Sequence, residues 1–171
     1  DELVIVLPEA WINQFKEEYK QYKLVTGGKE RHESSKKGLL ACSKKTKNII
    51  LHDAARPLIT QKLINECIDY LNDFDAVAPF IDINDSLIIM NDVTKYIDRD
   101  IIKVIQTPQA FNKQILLDAL MNVKKNVSDD MSAILEYDKN AKIKFFKGDR
   151  YNFKITYDLD LKTFNNIINE K

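Results

Sequence analysis

The sequence is poor in the residues that mark disulfide-bonded, metal-binding or membrane proteins. Only two cysteines, Cys42 and Cys67, occur among 171 residues, so we expect free thiols in a reducing cytoplasm. Only two histidines, His32 and His52, are present, which argues against a histidine-rich metal site. No apolar stretch approaches the roughly 18 residues that cross a membrane, and no signal peptide is recognisable. These absences predict a cytoplasmic protein that does not bind a membrane.

The chain also lacks a net charge, because 26 basic residues balance 26 acidic ones. A balanced charge argues against a broad electrostatic surface for nucleic acid or for anionic lipid. It still allows a local basic pocket for a small phosphorylated ligand. Apolar residues make up 44% of the chain, which at this length is enough for the core of a single domain.

Short apolar runs alternate with amphipathic stretches along most of the chain. The runs LVIVL, NIILH and DAVAPFI predict strands, and ITQKLINECIDYLNDF predicts a helix with Thr60 as its N-cap. The stretch SDDMSAILEYD predicts a helix that begins with Ser128 and two aspartates, where the helix dipole favours negative charge. This alternation predicts an α/β fold, a three-layer α/β/α sandwich on a mainly parallel sheet.

Residues 84–103 depart from this alternation. The short strand-like pieces SLIIM and KVIQT flank a polar turn, NDVTKYIDRD, as the paired strands of a hairpin do, and no helical pattern lies between them. Such a pattern is typical of a protruding β-arm rather than of a crossover helix. We therefore predict a β-arm at residues 84–103.

The motif HDAARP follows a predicted strand directly. In α/β sheets, ligands bind beyond the carboxyl ends of the strands, where Asp53 could hold a divalent metal or a sugar hydroxyl. The small Ala54 would let a base or ribose approach, and Arg56 offers two parallel donors to a phosphate. A polar loop with an exposed ion pair, worth about 0 to 1 kcal/mol, remains the alternative.

Three further motifs carry candidate chemistry, each with a plainer alternative. In GGKERHESS, two glycines allow backbone N–H groups to face a ligand, or they form an ordinary turn before a capped helix. In QTPQAF, Thr107 precedes a proline, which favours extended backbone at a site or in a structural turn. In NFKIT, Lys154 lies opposite its apolar neighbours, where it could neutralise a phosphate or extend into solvent.

These motifs, GGKERHESSKKGL, ILHDAARPLI, QTPQAF and NFKITYDLDL, occur in an order that resembles the 2-C-methyl-D-erythritol 4-phosphate cytidylyltransferase family. The resemblance implies a Rossmann-like nucleotidyltransferase in isoprenoid precursor synthesis. CTP and 2-C-methyl-D-erythritol 4-phosphate would yield CDP-methylerythritol and pyrophosphate, with Mg²⁺ or another divalent cation. Positioning and charge neutralisation would supply most of the catalysis.

The resemblance also implies roles for individual residues. The expected nucleotide contacts are Gly28, Lys29 through its backbone, Ser34, Asp53 and Ala54. The expected polyol-phosphate contacts are Arg56, Ser86, Arg99, Thr107 and Lys154. The expected catalytic groups are Lys154, Arg99 and Asp53, with Asp53 also the metal ligand. In the family the arm reaches a neighbouring subunit, which implies a homodimer in which Ser86 and Arg99 complete the partner's site.

One departure from the family keeps other hypotheses open. The family begins with a glycine-rich loop bearing an arginine and a lysine, and this chain has only four glycines, none in such a loop. We therefore expect residues 1–171 to be a single cytidylyltransferase domain that lacks its N-terminal strand and loop. The alternatives are a ribitol-5-phosphate (or other polyol-phosphate) cytidylyltransferase for surface polymers and an inactive nucleotide-binding remnant. The second alanine of HDAARP favours the methylerythritol acceptor, because relatives with other acceptors often carry a bulkier residue there.

Overall fold

A computed structural model describes residues 2–122, 127 and 129–170 as an α/β fold. The strands are β1 (Val4–Leu7), β2 (Lys23–Thr26), β3 (Asn48–Leu51), β4 (Ala76–Asp82), β5 (Leu87–Ile89), β6 (Lys95–Ile97), β7 (Lys103–Ile105), β8 (Gln109–Asn112) and β9 (Ile143–Lys147). The helices are α1 (Glu9–Phe15), α2 (Arg31–Ala41), α3 (Gln61–Tyr70), α4 (Lys113–Asn122), α5 (Asp130–Tyr137) and α6 (Asp158–Asn169). None of these described helices is long and apolar enough to span a bilayer.

The central sheet is mixed, so the prediction of a mainly parallel sheet was wrong. Its strand order is β3–β8–β4–β7, with β9 also paired to β4. The β4–β9 pair is parallel, whereas β8 runs antiparallel to β3 and β4, and β7 runs antiparallel to β4. The reversal arises because the chain returns from β4 through a hairpin instead of a crossover helix. β1 and β2 form a separate parallel pair among the described strands.

Helices cover both faces of the central sheet, which confirms the layered α/β prediction. On β4, Ala76 and Ala78 face one apolar cluster with α4 and α5, while Val77 between them faces a second cluster with α3. The side chains of β8 alternate in the same way, with Phe111 in the first cluster and Ala110 in the second. Side chains on a strand alternate between faces, so a run buried throughout requires cover on both sides.

Helix starts follow the sequence signals closely. The Thr60 hydroxyl accepts a hydrogen bond from the backbone N–H of Leu63 at 3.3 Å, which confirms the predicted N-cap of α3. The carboxylate of Asp129 caps α5 by accepting from the N–H of Ser132 at 2.8 Å. Ser128, which was also expected at this helix start, lies outside the described residues.

The segment after β4 contains a hairpin, but not the predicted pairing within it. β5 pairs antiparallel with β6, whose residues lie within the stretch that we expected to be a polar turn. The second predicted piece, KVIQT, instead supplies β7 and joins the central sheet beside β4. Strand pairing is a non-local choice, so a short apolar piece does not reveal which partner it takes.

Both cysteines are free, as the sequence predicts. Cys67 is buried on α3, and burial raises the pKa of its thiol to about 12. The thiol donates a hydrogen bond to the carbonyl of Pro108 at 3.5 Å. Cys67 therefore behaves as a small apolar side chain that packs helix α3 onto the sheet.

Phe146→Ala tests the contribution of the second apolar cluster to stability. Phe146 is 7% exposed, and its ring centroid lies 5.4 Å from that of Tyr70. We expect the free energy of unfolding to fall by about 3 to 5 kcal/mol in urea denaturation, because the truncation leaves a cavity. The control is Phe145→Ala, since Phe145 is 39% exposed on the opposite face of β9. Equal losses in the two variants would contradict the assignment.

Candidate active site

The Asp53 carboxylate lies just beyond β3, surrounded by three cations from separate segments. Lys154 Nζ lies 3.2 Å from Oδ2 of Asp53, Arg56 Nε lies 3.7 Å from the same oxygen, and Arg31 Nη2 lies 3.9 Å from Oδ1. The sequence predicted that Asp53, Arg56 and Lys154 would meet, and the structure brings them together. Three cations around one carboxylate form the local basic pocket that a phosphorylated ligand needs.

Two buried amide side chains hold the segment that carries Lys154. The Gln106 Nε2 donates to the carbonyls of Asp149 at 2.8 Å and Asn152 at 3.1 Å. Its Oε1 accepts from the N–H of Asp149 at 3.2 Å, and the Asn152 Nδ2 donates to the carbonyl of Thr107 at 2.7 Å. Gln106 is 1% exposed and Asn152 is fully buried. The QTPQ motif and the loop at 149–152 are therefore fixed to each other.

The HDAARP loop is attached to the same segment. The Arg56 Nη1 donates to the carbonyl of Asn152 at 2.8 Å, and the N–H of Ile155 donates to the carbonyl of Ala55 at 2.8 Å. Burial lowers the pKa of Arg56 from its ordinary value, although an arginine keeps its charge at any physiological pH. With these bonds in place, Arg56 and Lys154 both lie nearest the same oxygen of Asp53, Oδ2.

Thr107 and His52 form hydrogen bonds with each other and with the backbone of this loop. The Thr107 hydroxyl accepts from the N–H of Asp53 at 3.1 Å and lies 3.0 Å from Nδ1 of His52. The other ring nitrogen of His52, Nε2, lies 3.0 Å from the carbonyl of Arg56. Desolvation by burial lowers the pKa of His52, which favours the neutral imidazole.

The glycine motif after β2 forms a tight turn before α2. The N–H of Gly28 donates to Ser34 Oγ at 3.0 Å, and the N–H of Lys29 donates to Glu33 Oε2 at 2.7 Å. The bonds from the N–H groups of Lys29 and Glu30 lower the pKa of Glu33. A Cβ at Gly28 would clash with Glu33, so the close approach requires glycine here. The backbone donors expected to meet cytidine thus lie beside Ser34, another expected contact.

The sequence analysis missed Asp130 as a member of the site. Its carboxylate is fully buried at the start of α5 and forms an ion pair with Arg31 Nη1, and its Oδ1 has no hydrogen-bond partner within the described residues. Arg31 therefore connects Asp130 to Asp53. The sequence does show two aspartates at this predicted helix start. The helix dipole already explained their negative charge, so nothing indicated that Asp130 would pair with a cation.

Ser86 and Arg99 lie apart from the Asp53 group. Both are exposed on the segment around the hairpin, where Arg99 Nη1 donates to the carbonyl of Asn84. Within the described part of the chain, no hydrogen bond or ion pair joins either residue to Asp53, Arg56 or Lys154. The described residues of one chain therefore show no direct contact between Ser86 or Arg99 and the Asp53 group.

A metal ion would need ligands from a substrate as well as from the protein. Among the described residues no group of three or more His, Cys, Asp or Glu side chains could hold a metal. Mg²⁺ usually binds through one or two carboxylates together with substrate phosphates and water. Asp53 fits that pattern as a single carboxylate, because the neighbouring cations Lys154, Arg56 and Arg31 would attract the substrate phosphates to it.

A family model for IspD, 2-C-methyl-D-erythritol 4-phosphate cytidylyltransferase, matches residues 1–170. The chain belongs to the IspD family. A cytidylyltransferase of this description from Clostridium botulinum is 37% identical over 173 residues, which covers 94% of this chain and 75% of that protein. A bifunctional IspD/IspF enzyme from Pelagibacter ubique is 38% identical over 172 residues, which covers 98% of this chain. The chain spans 45% of the length of this bifunctional relative.

Solved structures of IspD proteins share the fold. A 4-diphosphocytidyl-2C-methyl-D-erythritol synthase from Anaerococcus prevotii superposes with a TM-score of 0.90 at 26% identity, covering 99% of this chain and 79% of that one. The bifunctional IspDF from Campylobacter jejuni gives a TM-score of 0.83 at 29% identity, covering 95% of this chain and 41% of that one. The fold described above, with its mixed sheet, therefore superposes on both of these solved structures.

Arg31→Ala tests the ion pair with Asp130. The variant leaves the buried carboxylate of Asp130 unpaired, so we expect the free energy of unfolding to fall by about 1 to 3 kcal/mol or more. The double variant Arg31→Ala/Asp130→Ala should recover part of that loss, because it also removes the stranded charge. Denaturant unfolding of the two single variants, Arg31→Ala and Asp130→Ala, and of the double variant measures the difference. A double variant that loses the sum of the two single losses would contradict the pairing.

Gly148→Ala tests the clamp formed by Gln106. A Cβ at position 148 would clash with Gln106 Oε1 and would lie 3.1 Å from the carbonyl of Phe80. We expect a loss of about 1 to 3 kcal/mol in the free energy of unfolding from this overpacking. Glu136→Ala, at an exposed position of α5, is the control substitution. Unchanged unfolding of Gly148→Ala would show that Gln106 is free to move away.

Proposed function

We propose that this chain is the cytidylyltransferase domain of an enzyme that joins CTP to 2-C-methyl-D-erythritol 4-phosphate. Residues 1–171 would form one domain, with residues 84–103 as its arm. The observation that carries the proposal is the cluster of Lys154, Arg56 and Arg31 around Asp53, in a chain that belongs to the IspD family. The products would be CDP-methylerythritol and pyrophosphate.

The nucleotide would lie between the glycine turn and the HDAARP loop. Backbone groups of Gly28 and Lys29, with Ser34, would contact the cytosine, while Ala54 would lie against the nucleotide. The tight turn after β2 places these backbone groups beside Ser34, and its N–H groups donate to Ser34 Oγ and to the Glu33 carboxylate. An incoming base would have to replace these side-chain acceptors with its own.

The acceptor phosphate would bind between Arg56 and Lys154, above Thr107. One of its oxygens attacks the α-phosphorus of CTP, a new P–O bond forms, the bond to the bridging oxygen of the β-phosphate breaks, and pyrophosphate leaves. Lys154 would neutralise the charge that develops on the α-phosphate. Electrostatic stabilisation of this kind supplies much of the rate enhancement in phosphoryl-type transfer.

A divalent cation, such as Mg²⁺, would be held by Asp53 together with the triphosphate. When bound, it would withdraw charge from the phosphate oxygens. Because Asp53 pairs with Lys154 across 3.2 Å, the lysine must exchange this carboxylate for phosphate when substrates enter. Lys154 is 48% exposed, which allows that movement.

A homodimer through the arm would complete the site. Ser86 and Arg99 would contact the polyol phosphate of the partner subunit, since one copy holds them apart from its own Asp53. The hairpin carries a set of large apolar side chains that are exposed to solvent in a single chain: Ile88, Ile89, Met90, Val93 and Tyr96. Such a patch is typical of a protein interface.

The methylerythritol acceptor is preferred to ribitol 5-phosphate and to an inactive remnant. The matching family model and the Clostridium botulinum relative carry the methylerythritol name. The backbone N–H of Ile155 donates to the carbonyl of Ala55, which joins the second alanine of HDAARP to the Lys154 segment. A cytoplasmic location belongs to the same proposal, supported by the two free thiols.

Lys154→Ala and Arg56→Ala test the proposal in the full-length gene product. Each should lower turnover by at least about tenfold, equivalent to roughly 1.4 kcal/mol of transition-state stabilisation. Pyrophosphate release is followed with CTP and either 2-C-methyl-D-erythritol 4-phosphate or ribitol 5-phosphate. Lys162→Ala, an exposed lysine on α6, is the matched control.

Two results would refute the assignment. Wild-type rates in both variants would remove Lys154 and Arg56 from the reaction. An absence of pyrophosphate release by the unmodified enzyme with every acceptor would favour the inactive remnant. Release with ribitol 5-phosphate alone would retain the chemistry and change the substrate.

A further inference from the structure

The arm at residues 84–103 depends on its base for its direction. β5 and β6 pair with each other, and among the described strands neither pairs with any other. A two-stranded hairpin without further strands is at best marginally stable in water. The direction of the arm is therefore set by contacts at the two points where it joins the sheet, after β4 and before β7.

Asn84 lies at the first of these points and contacts two arginines. On the returning side of the arm, Arg99 Nη1 donates to the carbonyl of Asn84. From outside the arm, Arg150 Nη2 donates to Asn84 Oδ1 at 2.9 Å and to the carbonyl of Asp82 at 3.1 Å. Asn84 thus connects Arg99 to Arg150, although 66 residues separate Asn84 from Arg150 in the sequence.

Arg150 comes from a loop whose backbone is fixed. The carbonyls of Asp149 and Asn152, on either side of Arg150, both accept from the amide of the buried Gln106. The side chain of Arg150 extends from this loop to the surface, where the residue is exposed. Its two hydrogen bonds therefore join the base of the arm to a part of the chain that buried hydrogen bonds hold in place.

Lys147 lies in the same region but makes a different contact. Its ammonium pairs with the carboxylate of Asp82 and lies 5.8 Å from the centroid of the Phe80 ring. Within the described residues, no hydrogen bond or ion pair joins Lys147 to Asn84. Lys147 therefore carries the same charge as Arg150 near the same strand end, without a bond to the arm.

We propose that Arg150 and Asn84 are positioning residues that fix the arm and thereby place Arg99 for the partner's site. An arginine has several N–H donors, and Arg99 uses Nη1 for Asn84, so its remaining donors can meet a phosphate. This inference rests on the proposed function, because it requires the homodimer in which Arg99 contacts the polyol phosphate of the partner. It adds two residues that the sequence analysis did not assign to the site.

The alternative is that Arg150 acts on the site of its own chain. Lys154 follows the same loop, so a change at position 150 could displace the lysine instead of the arm. The two routes differ in the site that is affected. An effect through Lys154 falls on the chain's own site, whereas an effect through the arm falls on the partner's site.

Steady-state kinetics of the full-length enzyme provide the first test. We expect Arg150→Ala and Asn84→Ala each to lower kcat/KM for 2-C-methyl-D-erythritol 4-phosphate about three- to tenfold, the effect that one or two lost hydrogen bonds produce. The KM for CTP should stay within about twofold, because the expected nucleotide contacts lie on other segments. The double variant should resemble Arg150→Ala alone, since both changes break the same connection.

Two further variants control for charge and for the loss of a side chain. Lys147→Ala removes a positive charge from the same region and should leave kcat/KM within about twofold. Asn84→Asp keeps an oxygen that accepts from Arg150 and should retain more activity than Asn84→Ala. An equal loss in Lys147→Ala and Arg150→Ala would show that charge alone is responsible and would overturn the proposal.

Mixed dimers assign the effect to one of the two sites. Two chains with different affinity tags are produced together, and dimers that carry both tags are purified. A Lys154→Ala chain paired with an unmodified chain is the reference, because it leaves one working site, that of the unmodified chain. The arm at this working site comes from the Lys154→Ala chain.

The placement of Arg150→Ala then distinguishes the two routes. When it is added to the Lys154→Ala chain, it loosens the arm that serves the working site, and we expect a loss of about three- to tenfold in kcat/KM. When it is added to the other chain, that arm stays intact, and we expect the reference rate. The reverse pattern, or equal rates in the two mixed dimers, would overturn the proposal.

The dissociation constant of the dimer provides a measurement that does not need activity. An arm that is already held in its bound direction loses less conformational freedom on association. We therefore expect Arg150→Ala to raise the dissociation constant about three- to tenfold in sedimentation equilibrium, and Lys147→Ala to leave it within about twofold. Equal dissociation constants for Arg150→Ala and the unmodified protein would contradict a role of Arg150 in holding the arm.

The proposed function fails by a different result. A dimeric unmodified enzyme that releases no pyrophosphate with any acceptor would refute the proposed reaction, and the dissociation constants would still decide whether Arg150 holds the arm. A monomeric unmodified enzyme would overturn the proposed homodimer and this inference with it.

Discussion

The position of Lys154 depends on the buried amides of Gln106 and Asn152. Each is almost wholly removed from water, and each reaches across to the backbone of another segment. A buried amide that loses its partner costs about 1 to 3 kcal/mol, so the loop at 149–152 has one strongly preferred position against the QTPQ motif. Arg56 then adds its own bond to the carbonyl of Asn152. Three motifs that are distant in the sequence thus become one rigid unit.

The cations around Asp53 differ in their freedom to move. Arg56 has an 11% exposed side chain and donates to a backbone carbonyl, so it remains in place when ligands change. Lys154 is about half exposed, and an exposed ion pair is worth only about 0 to 1 kcal/mol, so its pairing with Asp53 is readily exchanged for a phosphate. Arg31 is held by the buried Asp130. A fixed pair of arginines and a movable lysine suit a site that must first bind and then stabilise a changing charge.

The sequence predicted the parts of the site that lie at strand ends. Asp53 and Arg56 share one loop, and Lys154 follows the strand that pairs with β4, so their meeting follows from the sheet. The pairing of Arg31 with Asp130 was not predictable, because 99 residues separate them. In addition, the position of each residue near a helix start already explained its presence in the sequence. The mixed sheet was missed for a similar reason, since KVIQT could pair within the hairpin or beside β4. Aromatic residues recur every fourth position at Trp11, Phe15 and Tyr19, which predicts a helix through Tyr19. Helix α1 nevertheless ends at Phe15, because the pattern indicates amphipathicity and not where a helix ends.

The most direct test of the account is a double-mutant cycle between Gln106 and Lys154. Gln106→Met preserves side-chain length but removes the amide that holds the Lys154 loop. If the amide acts by placing Lys154, Gln106→Met should lower kcat in the full-length enzyme, yet it should have little further effect when Lys154→Ala is already present. Losses of turnover that simply multiply in the double variant would contradict the claim that the buried amide positions the lysine.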